Sequence, residues 1–176
     1  MFTYDDDKVA LFIDGPNFYN ACKQLEVVVD YKKLHQVFKD RVKLIRAFYF
    51  TGVNESEDYV PLQPLLDWLS YNEYTVVTKP SREYTDPVTN FKKFKCDISV
   101  DLAVTAIQLA PHVDHIVLFS GDGDFLALVE ALQSMGKRVS IVSSVGAGIS
   151  SDVLRRQADV FVDFAEWIEK DKLAKD

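Results

Sequence analysis

Short, continuously apolar runs alternate along this chain with longer segments in which apolar residues recur at helical spacing. The first run, residues 9–13, ends at Asp14-Gly15 and has the character of a strand buried on both faces. Similar runs predict strands at residues 42–51, 74–78, 115–120, 139–143 and 160–164. Between them, the spacing predicts helices at residues 16–25, 31–39, 61–69, 97–109, 125–135 and 151–157.

Local signals support several of these boundaries. Asp30 is placed to cap the second helix, and Gly136 lies where a helix C-cap glycine is expected. Residues 80–95 interrupt the rhythm, with a turn signal at Asp86-Pro87, and are predicted to form an irregular or hairpin excursion. The tail from Glu166 is predicted to be a polar helix.

Strands that alternate with helices indicate an α/β fold in which helices cover both faces of a mainly parallel sheet of five to six strands. In such sheets, ligands bind beyond the carboxyl ends of the strands, where the strand order reverses. Asp14 and Asp122 follow the first and fourth predicted strands. If those strands are neighbours, the two carboxylates converge at one edge of the sheet.

Composition and charge limit the class of protein. The 176 residues are 48% hydrophobic, which fits a single domain over residues 1–176 with its core at about residues 8–165. Two cysteines are too few for a disulfide framework or a zinc cluster, and no apolar run or leader pattern predicts a membrane partner, so we expect a cytoplasmic protein. A net charge of −7 argues against a protein that coats nucleic acid, but not against an enzyme whose acids hold a metal ion.

Acidic residues come from three separate segments. Asp14 closes the first strand, Asp97 and Asp101 are spaced to share one face of a predicted helix, and Asp122 and Asp124 flank Gly123 after the fourth strand. Carboxylates are the ligands that Mg²⁺ and Mn²⁺ prefer, and closely packed carboxylates need a cation to offset their repulsion. Each segment also has a simpler explanation, because an aspartate after a strand often caps the next helix.

Asp101 is harder to explain as a structural residue. Its predicted helix is apolar nearly all round, and an unpaired aspartate would be costly to bury there. The joint occurrence of the three segments therefore predicts a divalent-metal site.

The same residues resemble a known family. Residues 12–17, Phe-Ile-Asp-Gly-Pro-Asn, together with residues 120–125, Ser-Gly-Asp-Gly-Asp-Phe, resemble the NYN domains, a branch of the PIN-like nucleases, and within them the bacterial LabA-like group. Lys95, Asp97 and Asp101 match the spacing of the family's middle motif, and residues 158–161 resemble its closing strand. The resemblance extends over about residues 8–165. Pro16 and Cys96 differ from the small or aliphatic residues that are usual at these positions.

This resemblance implies a Rossmann-like, PIN-like three-layer sandwich and ribonuclease chemistry that depends on one or two Mg²⁺ or Mn²⁺ ions. It implies metal-binding roles for Asp14, Asp97, Asp122 and Asp124. Asp101 then has an accessory role, and Asn17 orients the scissile phosphate or a water. The family also includes members assigned to regulation, so a regulatory or RNA-binding module with little or no turnover is the second hypothesis.

RNA is the expected partner, and residues 79–95 are the expected contact. This segment combines five basic with two acidic residues and interleaves aromatic rings, as in proteins that hold single strands by phosphate contacts and base stacking. A solvated hairpin whose rings pack on the domain is the alternative. The residues expected to contact RNA are Lys79, Arg82, Lys92, Lys93 and Lys95, with Ser120 and Ser144 from the loops after two strands.

Other chemistry finds less support. Asp14 lacks the second aspartate two residues later that an aspartyl phosphatase would need, and the three histidines are expected to be structural or solvent-facing. Apolar residues between Asn54 and Val60 could serve a homodimer.

Overall fold

The computed structural model describes residues 6–53, 62–85 and 92–175, and for residues 82–85 and 92–95 it describes the backbone only. The segment from Asn54 to Val60, proposed for a dimer contact, lies outside the described residues.

The strands are β1 Lys8–Asp14, β2 Lys43–Val53, β3 Tyr74–Pro80, β4 Arg82–Thr85, β5 Lys92–Lys95, β6 His115–Phe119, β7 Arg138–Ser143 and β8 Val160–Asp163. The α-helices are α1 Gly15–Gln24, α2 Tyr31–Lys39, α3 Gln63–Tyr71, α4 Ser99–Leu109, α5 Leu126–Ser134, α6 Asp152–Gln157 and α7 Phe164–Asp171. Short 3₁₀ turns occupy Ala110–His112 and Gly123–Phe125.

Within the described residues, six strands form one parallel sheet in the order β3-β2-β1-β6-β7-β8, as the alternating pattern predicts. The chain winds outward from β1 in one direction to β3, then returns to pair β6 on the other side of β1. The strand order therefore reverses between β1 and β6. This is the position at which parallel α/β sheets bind their ligands.

Alternate residues of the buried strands face two different helical layers. On β1, Leu11 and Ile13 pack with side chains of α1, α2, α3 and α7, whereas Ala10 and Phe12 pack with side chains of α4, α5 and α6. The fold is thus the three-layer α/β sandwich that the sequence predicts. By the same alternation, Asp14 belongs to the face that α4 covers.

Two local signals are confirmed directly. Asp30 caps α2 by accepting backbone N–H groups of Lys32 and Lys33 at 3.0 and 3.1 Å. Gly136 follows α5 with a φ of 73°, the left-handed conformation that ends helices at little cost for glycine. The predicted excursion at residues 80–95 contains an antiparallel two-stranded hairpin, β4–β5.

The structure corrects two predictions about helices. The fourth helix begins at Ser99 and not at Asp97, because the Asp97 Oδ1 accepts the Ser99 N–H at 3.0 Å and holds a turn before the helix. The tail is not simply polar, because α7 packs on the sheet and buries Trp167 and Ile168, and Leu173 beyond it is also buried. Glu166, Glu169 and Lys170 of this helix are exposed, whereas Asp171 is partly buried and accepts hydrogen bonds from Arg41 and Trp167.

Across the described ranges, no helix is both long enough and apolar enough to span a membrane.

Candidate functional site

The predicted acids meet at the carboxyl edge of the sheet, over the junction of β1 and β6. A cavity of about 410 Å³ opens there between the starts of α1 and α4 and the turn after β6. It is lined by Asp14, Pro16, Asn17, Asn20, Cys96, Asp97, Ile98, Ser99, Asp122 and Asp124. Four of the aspartates proposed from the sequence therefore share one concave surface.

Asp14 is the most deeply placed of these acids, with 6% of its surface exposed. Its Oδ1 accepts the backbone N–H of Asn17 at 3.2 Å, and its Oδ2 accepts the hydroxyl of Ser120 at 2.9 Å. Burial raises the pKa of Asp14, the two hydrogen bonds oppose that change, and the charge of Asp122 adds to it. A cation in the cavity would favour the ionised form.

The turn after β6 is held to the start of α1 by side-chain hydrogen bonds. The Ser120 hydroxyl accepts the Asp122 N–H at 3.2 Å, and the Asn17 Oδ1 accepts the Gly121 N–H at 3.0 Å. This second bond determines the orientation of the Asn17 amide, because a backbone N–H requires an oxygen acceptor. The Asn17 Nδ2 remains as a donor at the cavity wall.

Gly121 allows the turn to approach its neighbours closely. A Cβ at this position would collide with the Ile149 carbonyl oxygen and the Ser143 hydroxyl. The Gly121 carbonyl also accepts the Ser151 N–H at 2.9 Å. Any larger residue would displace the turn that carries Asp122 and Asp124.

Three of these aspartates also cap a helix or a turn, as the simpler explanation from the sequence predicts. Asp14 caps α1, Asp122 accepts the Asp124 N–H at 3.0 Å in the 3₁₀ turn, and Asp97 accepts the Ser99 N–H. Capping accounts for one oxygen of each carboxylate but not for their arrangement around one cavity. Capping and ligand binding are therefore compatible at these positions.

Asp101 departs from its predicted place in the site. It is outside the lining of the cavity, and its Oδ2 forms a 2.6 Å ion pair with the Lys79 Nζ. Both side chains are 42% exposed, so the apolar helix does not bury Asp101 unpaired. The hydrogen bond to Asp101 raises the pKa of Lys79. The carboxylate of Asp101 is thus paired with a lysine.

The residues expected to bind RNA divide into three groups. Ser120 and Ser144 are buried and form internal hydrogen bonds, since the Ser144 hydroxyl accepts the Ala147 N–H at 3.3 Å, so neither offers a surface to RNA in this structure. Lys79 is paired with Asp101. The remaining basic residues, Arg82, Lys92, Lys93 and Lys95, all belong to the β4–β5 hairpin.

Asn20 is a lining residue that the sequence analysis missed. It lies one helical turn after Asn17 on α1, and this i, i+3 spacing on the first helix after the motif was the available signal. Cys96, noted only as a departure from the family pattern, also lines the cavity, and its thiol lies 3.6 Å from the Lys79 carbonyl oxygen.

The chemistry of the lining fits a hard divalent cation, since carboxylate and amide oxygens are the donors that Mg²⁺ and Mn²⁺ take. Among the described residues, however, no three acidic, histidine or cysteine side chains are already grouped closely enough to hold a metal ion. The residues that could hold one are Asp14, Asp97, Asp122 and Asp124.

The histidines take no part in this site. His35 and His115 are buried and His112 is exposed, as expected for structural or solvent-facing residues. His115 forms a 2.7 Å hydrogen bond with the Ser140 hydroxyl at the opposite edge of the sheet, and burial lowers its pKa to about 4.

Comparison with known proteins supports the motif assignment. The NYN domain model matches residues 8–169. The chain is 28% identical to the low amplitude and bright protein LabA of Synechococcus elongatus over 169 residues, which cover 93% of this chain and 88% of LabA. The crystal structure of a Vibrio parahaemolyticus protein of unknown function superposes with a TM-score of 0.72 at 28% identity, and the match covers 93% of this chain and 96% of that one. The protein described here belongs to the NYN domain family.

Proposed function

We propose that this protein hydrolyses phosphodiester bonds of RNA at the acidic cavity, with Mg²⁺ or Mn²⁺ as cofactor. The observation that carries this proposal is the meeting of four aspartates from three chain segments at the reversal point of a parallel sheet. NYN domains are PIN-like, are usually nucleases and generally bind RNA, which is consistent with this reaction.

The surroundings of each cavity residue indicate its role in the proposed hydrolysis. Asp14 is held by two donors, so its carboxylate keeps its orientation when a ligand arrives. Asp124 is exposed at the rim and can accept a proton from a water that attacks the phosphate. The Asn17 Nδ2 can donate a hydrogen bond to a phosphate oxygen. A bound divalent ion would stabilise the charge on the phosphoryl oxygens and favour ionisation of the water.

A second candidate function is RNA binding without turnover. It is favoured by the absence, within the described ranges, of a tight three-residue group of metal ligands, and by the pairing of Asp101 with Lys79. On this alternative, the acidic edge would regulate binding and not cleave RNA.

A cleavage assay separates the two. Purified protein is incubated with end-labelled single-stranded and hairpin RNA, with Mn²⁺ or with chelator, and compared with Asp14→Asn and Asp122→Asn. We expect manganese-dependent cleavage by the wild type and a loss of about 100-fold or more in each variant, the range typical of removing a positioned catalytic group. Asparagine retains the capping oxygen, so the local turns are preserved.

Glu130→Gln is the matched control, because it removes one exposed carboxylate from α5, away from the cavity. Undiminished cleavage in Asp122→Asn would place the activity elsewhere or assign it to a contaminant. RNA binding without any manganese-dependent cleavage by the wild type would favour the regulatory candidate.

A further inference from the structure

The register of the β4–β5 hairpin sorts its residues onto two unlike faces. Arg82 pairs with Lys95 and Tyr84 pairs with Lys93, whereas Glu83 pairs with Phe94 and Thr85 pairs with Lys92. Because directly opposite residues and second neighbours share a face, the first two pairs occupy one face and the other two occupy the other. We name the first the basic face, which consists of Arg82, Tyr84, Lys93 and Lys95.

The two faces differ in charge although the hairpin as a whole is basic. The basic face has three cations and no acid, and the opposite face has Lys92 balanced by Glu83. A polyanion therefore gains counterion release from one face only. The sequence alone treats Lys92 and Lys93 as equivalent, and the strand register separates them.

A second observation points to a ligand on the basic face. Arg82 and Lys95 stand directly opposite each other across the two strands. Like charges at such positions destabilise a sheet pair, and a phosphate between them would turn this repulsion into attraction. Tyr84, cross-strand from Lys93, adds a ring on which an unpaired base can stack.

The second strand of the hairpin leads directly into the acidic cavity. The β5 strand continues into Cys96 and Asp97, which line the cavity. At the other root, the Ser81 N–H donates to the Val53 carbonyl at 2.7 Å, and Lys79 pairs with Asp101 of α4. A strand bound along the basic face therefore adjoins Asp97, which follows Lys95 by two residues.

We propose that the basic face binds single-stranded RNA and delivers it to the acidic cavity, while the opposite face does not contact RNA. This rests on the proposed function for its choice of substrate. Single strands are favoured over duplex because stacking on Tyr84 requires an unpaired base.

Adjacent lysines on opposite faces provide the test. Lys93→Ala and Lys92→Ala change the net charge equally, and each is combined with Asp122→Asn so that cleavage does not intervene. Binding of a fluorescein-labelled 12-mer oligouridylate is measured by anisotropy across a salt series. Loss of one single-strand phosphate contact should flatten the log–log salt slope by about 0.7 and weaken binding about fivefold at 0.1 M salt in Lys93→Ala. Lys92→Ala should bind as its parent does.

Equal losses in the two variants, or a loss confined to Lys92→Ala, would overturn the face assignment whether or not the protein cleaves RNA. Conversely, a face-specific loss in a protein that shows no manganese-dependent cleavage would sustain this inference and defeat the proposed hydrolysis.

Arg82→Glu supplies an independent measurement. It replaces the like-charge pair with an opposite-charge pair, so the melting temperature should stay the same or rise while RNA affinity falls. A fall in both would indicate that Arg82 supports the hairpin, and would contradict a role in binding.

Discussion

Charged side chains are arranged differently at the two edges of the central sheet. At the amino edge, where the strands begin, three acids are each paired with a cation. Arg41 forms two 2.9 Å hydrogen bonds with Asp171, Arg138 pairs with Asp7 at 3.0 Å, and the Lys39 Nζ lies 2.8 Å from Glu73. These pairs join elements that are distant in the chain, while Asp114 and Asp159 at the same edge accept backbone N–H groups.

At the carboxyl edge, Asp14, Asp122 and Asp124 form no ion pair with any described residue, and Asp14 is buried with only neutral donors. Burying carboxylates near one another costs stability. The ion pairs at the amino edge stabilise the fold, whereas no cation among the described residues offsets Asp14, Asp122 and Asp124 at the carboxyl edge. Three measurements test this contrast.

The largest expected effect concerns the amino edge under acid. Burial first, and Arg138 second, lower the pKa of His115 to about 4, from an ordinary value of 6.5, while Asp7 and Asp159 oppose them. The unfolded chain therefore binds a proton that the folded chain excludes between these values. Stability from neutral His115 is complete above pH 6.5 and is lost as the pH falls towards 4, by about 3 kcal/mol from this one group.

Urea unfolding of wild type and His115→Gln at pH 7.0, 5.5 and 4.5 measures this effect. The difference in unfolding free energy between the two proteins should shift in favour of the variant as pH falls. Parallel pH profiles would show that His115 has the same pKa in the folded and the unfolded chain, which would contradict the prediction.

The second expected effect is stabilisation of the fold by a divalent cation bound at the carboxyl edge. A cation that binds only the folded state at ten times its Kd adds about 1.4 kcal/mol to the unfolding free energy. For a domain of this size, that corresponds to roughly 3–6 °C in melting temperature. Wild type should therefore gain several degrees from Mn²⁺ or Mg²⁺. In chelator, Asp122→Asn should melt at or above wild type, since one repelling charge is removed, yet gain little from metal.

Thermal melts with Mn²⁺, with Mg²⁺ and with EDTA make this comparison, and Glu130→Gln serves again as the remote carboxylate control. Equal gains for wild type and Asp122→Asn would refute the metal site at this edge.

The smallest effect tests whether the edges are independent. Asp171→Asn removes the acceptor of the Arg41 fork, and because Arg41 is 39% exposed, solvent screening limits the loss to about 1 kcal/mol. The variant should melt a few degrees lower with or without Mn²⁺. A change in the manganese-induced rise of its melting temperature would show that the two edges are coupled. That result would contradict the independence of the two edges.

Much of the fold follows from the local pattern. The strand runs, the Asp30 cap and the Gly136 C-cap lie where sequence reasoning puts them, because each depends on residues within a few positions. The burial of Trp167 does not follow from the local sequence, because the helix that contains it has a polar composition. Trp167 is buried against a sheet face that is distant in sequence. The i, i+4 spacing of Asp97 and Asp101 predicts that both lie in one helix, because this spacing does not reveal the turn that Asp97 itself holds.

The parallel α/β class and the strand-end positions of the aspartates follow from the sequence, because hydrophobic periodicity and the residues that end a strand are local properties. Which of those acids share one cavity depends on the tertiary structure. In the fold, Asp101 lies outside the cavity lining and pairs with Lys79, Ser120 donates a hydrogen bond to Asp14, and Lys92 and Lys93 take register positions on opposite faces. These outcomes depend on strand order and register, which bring together residues that are distant in the chain.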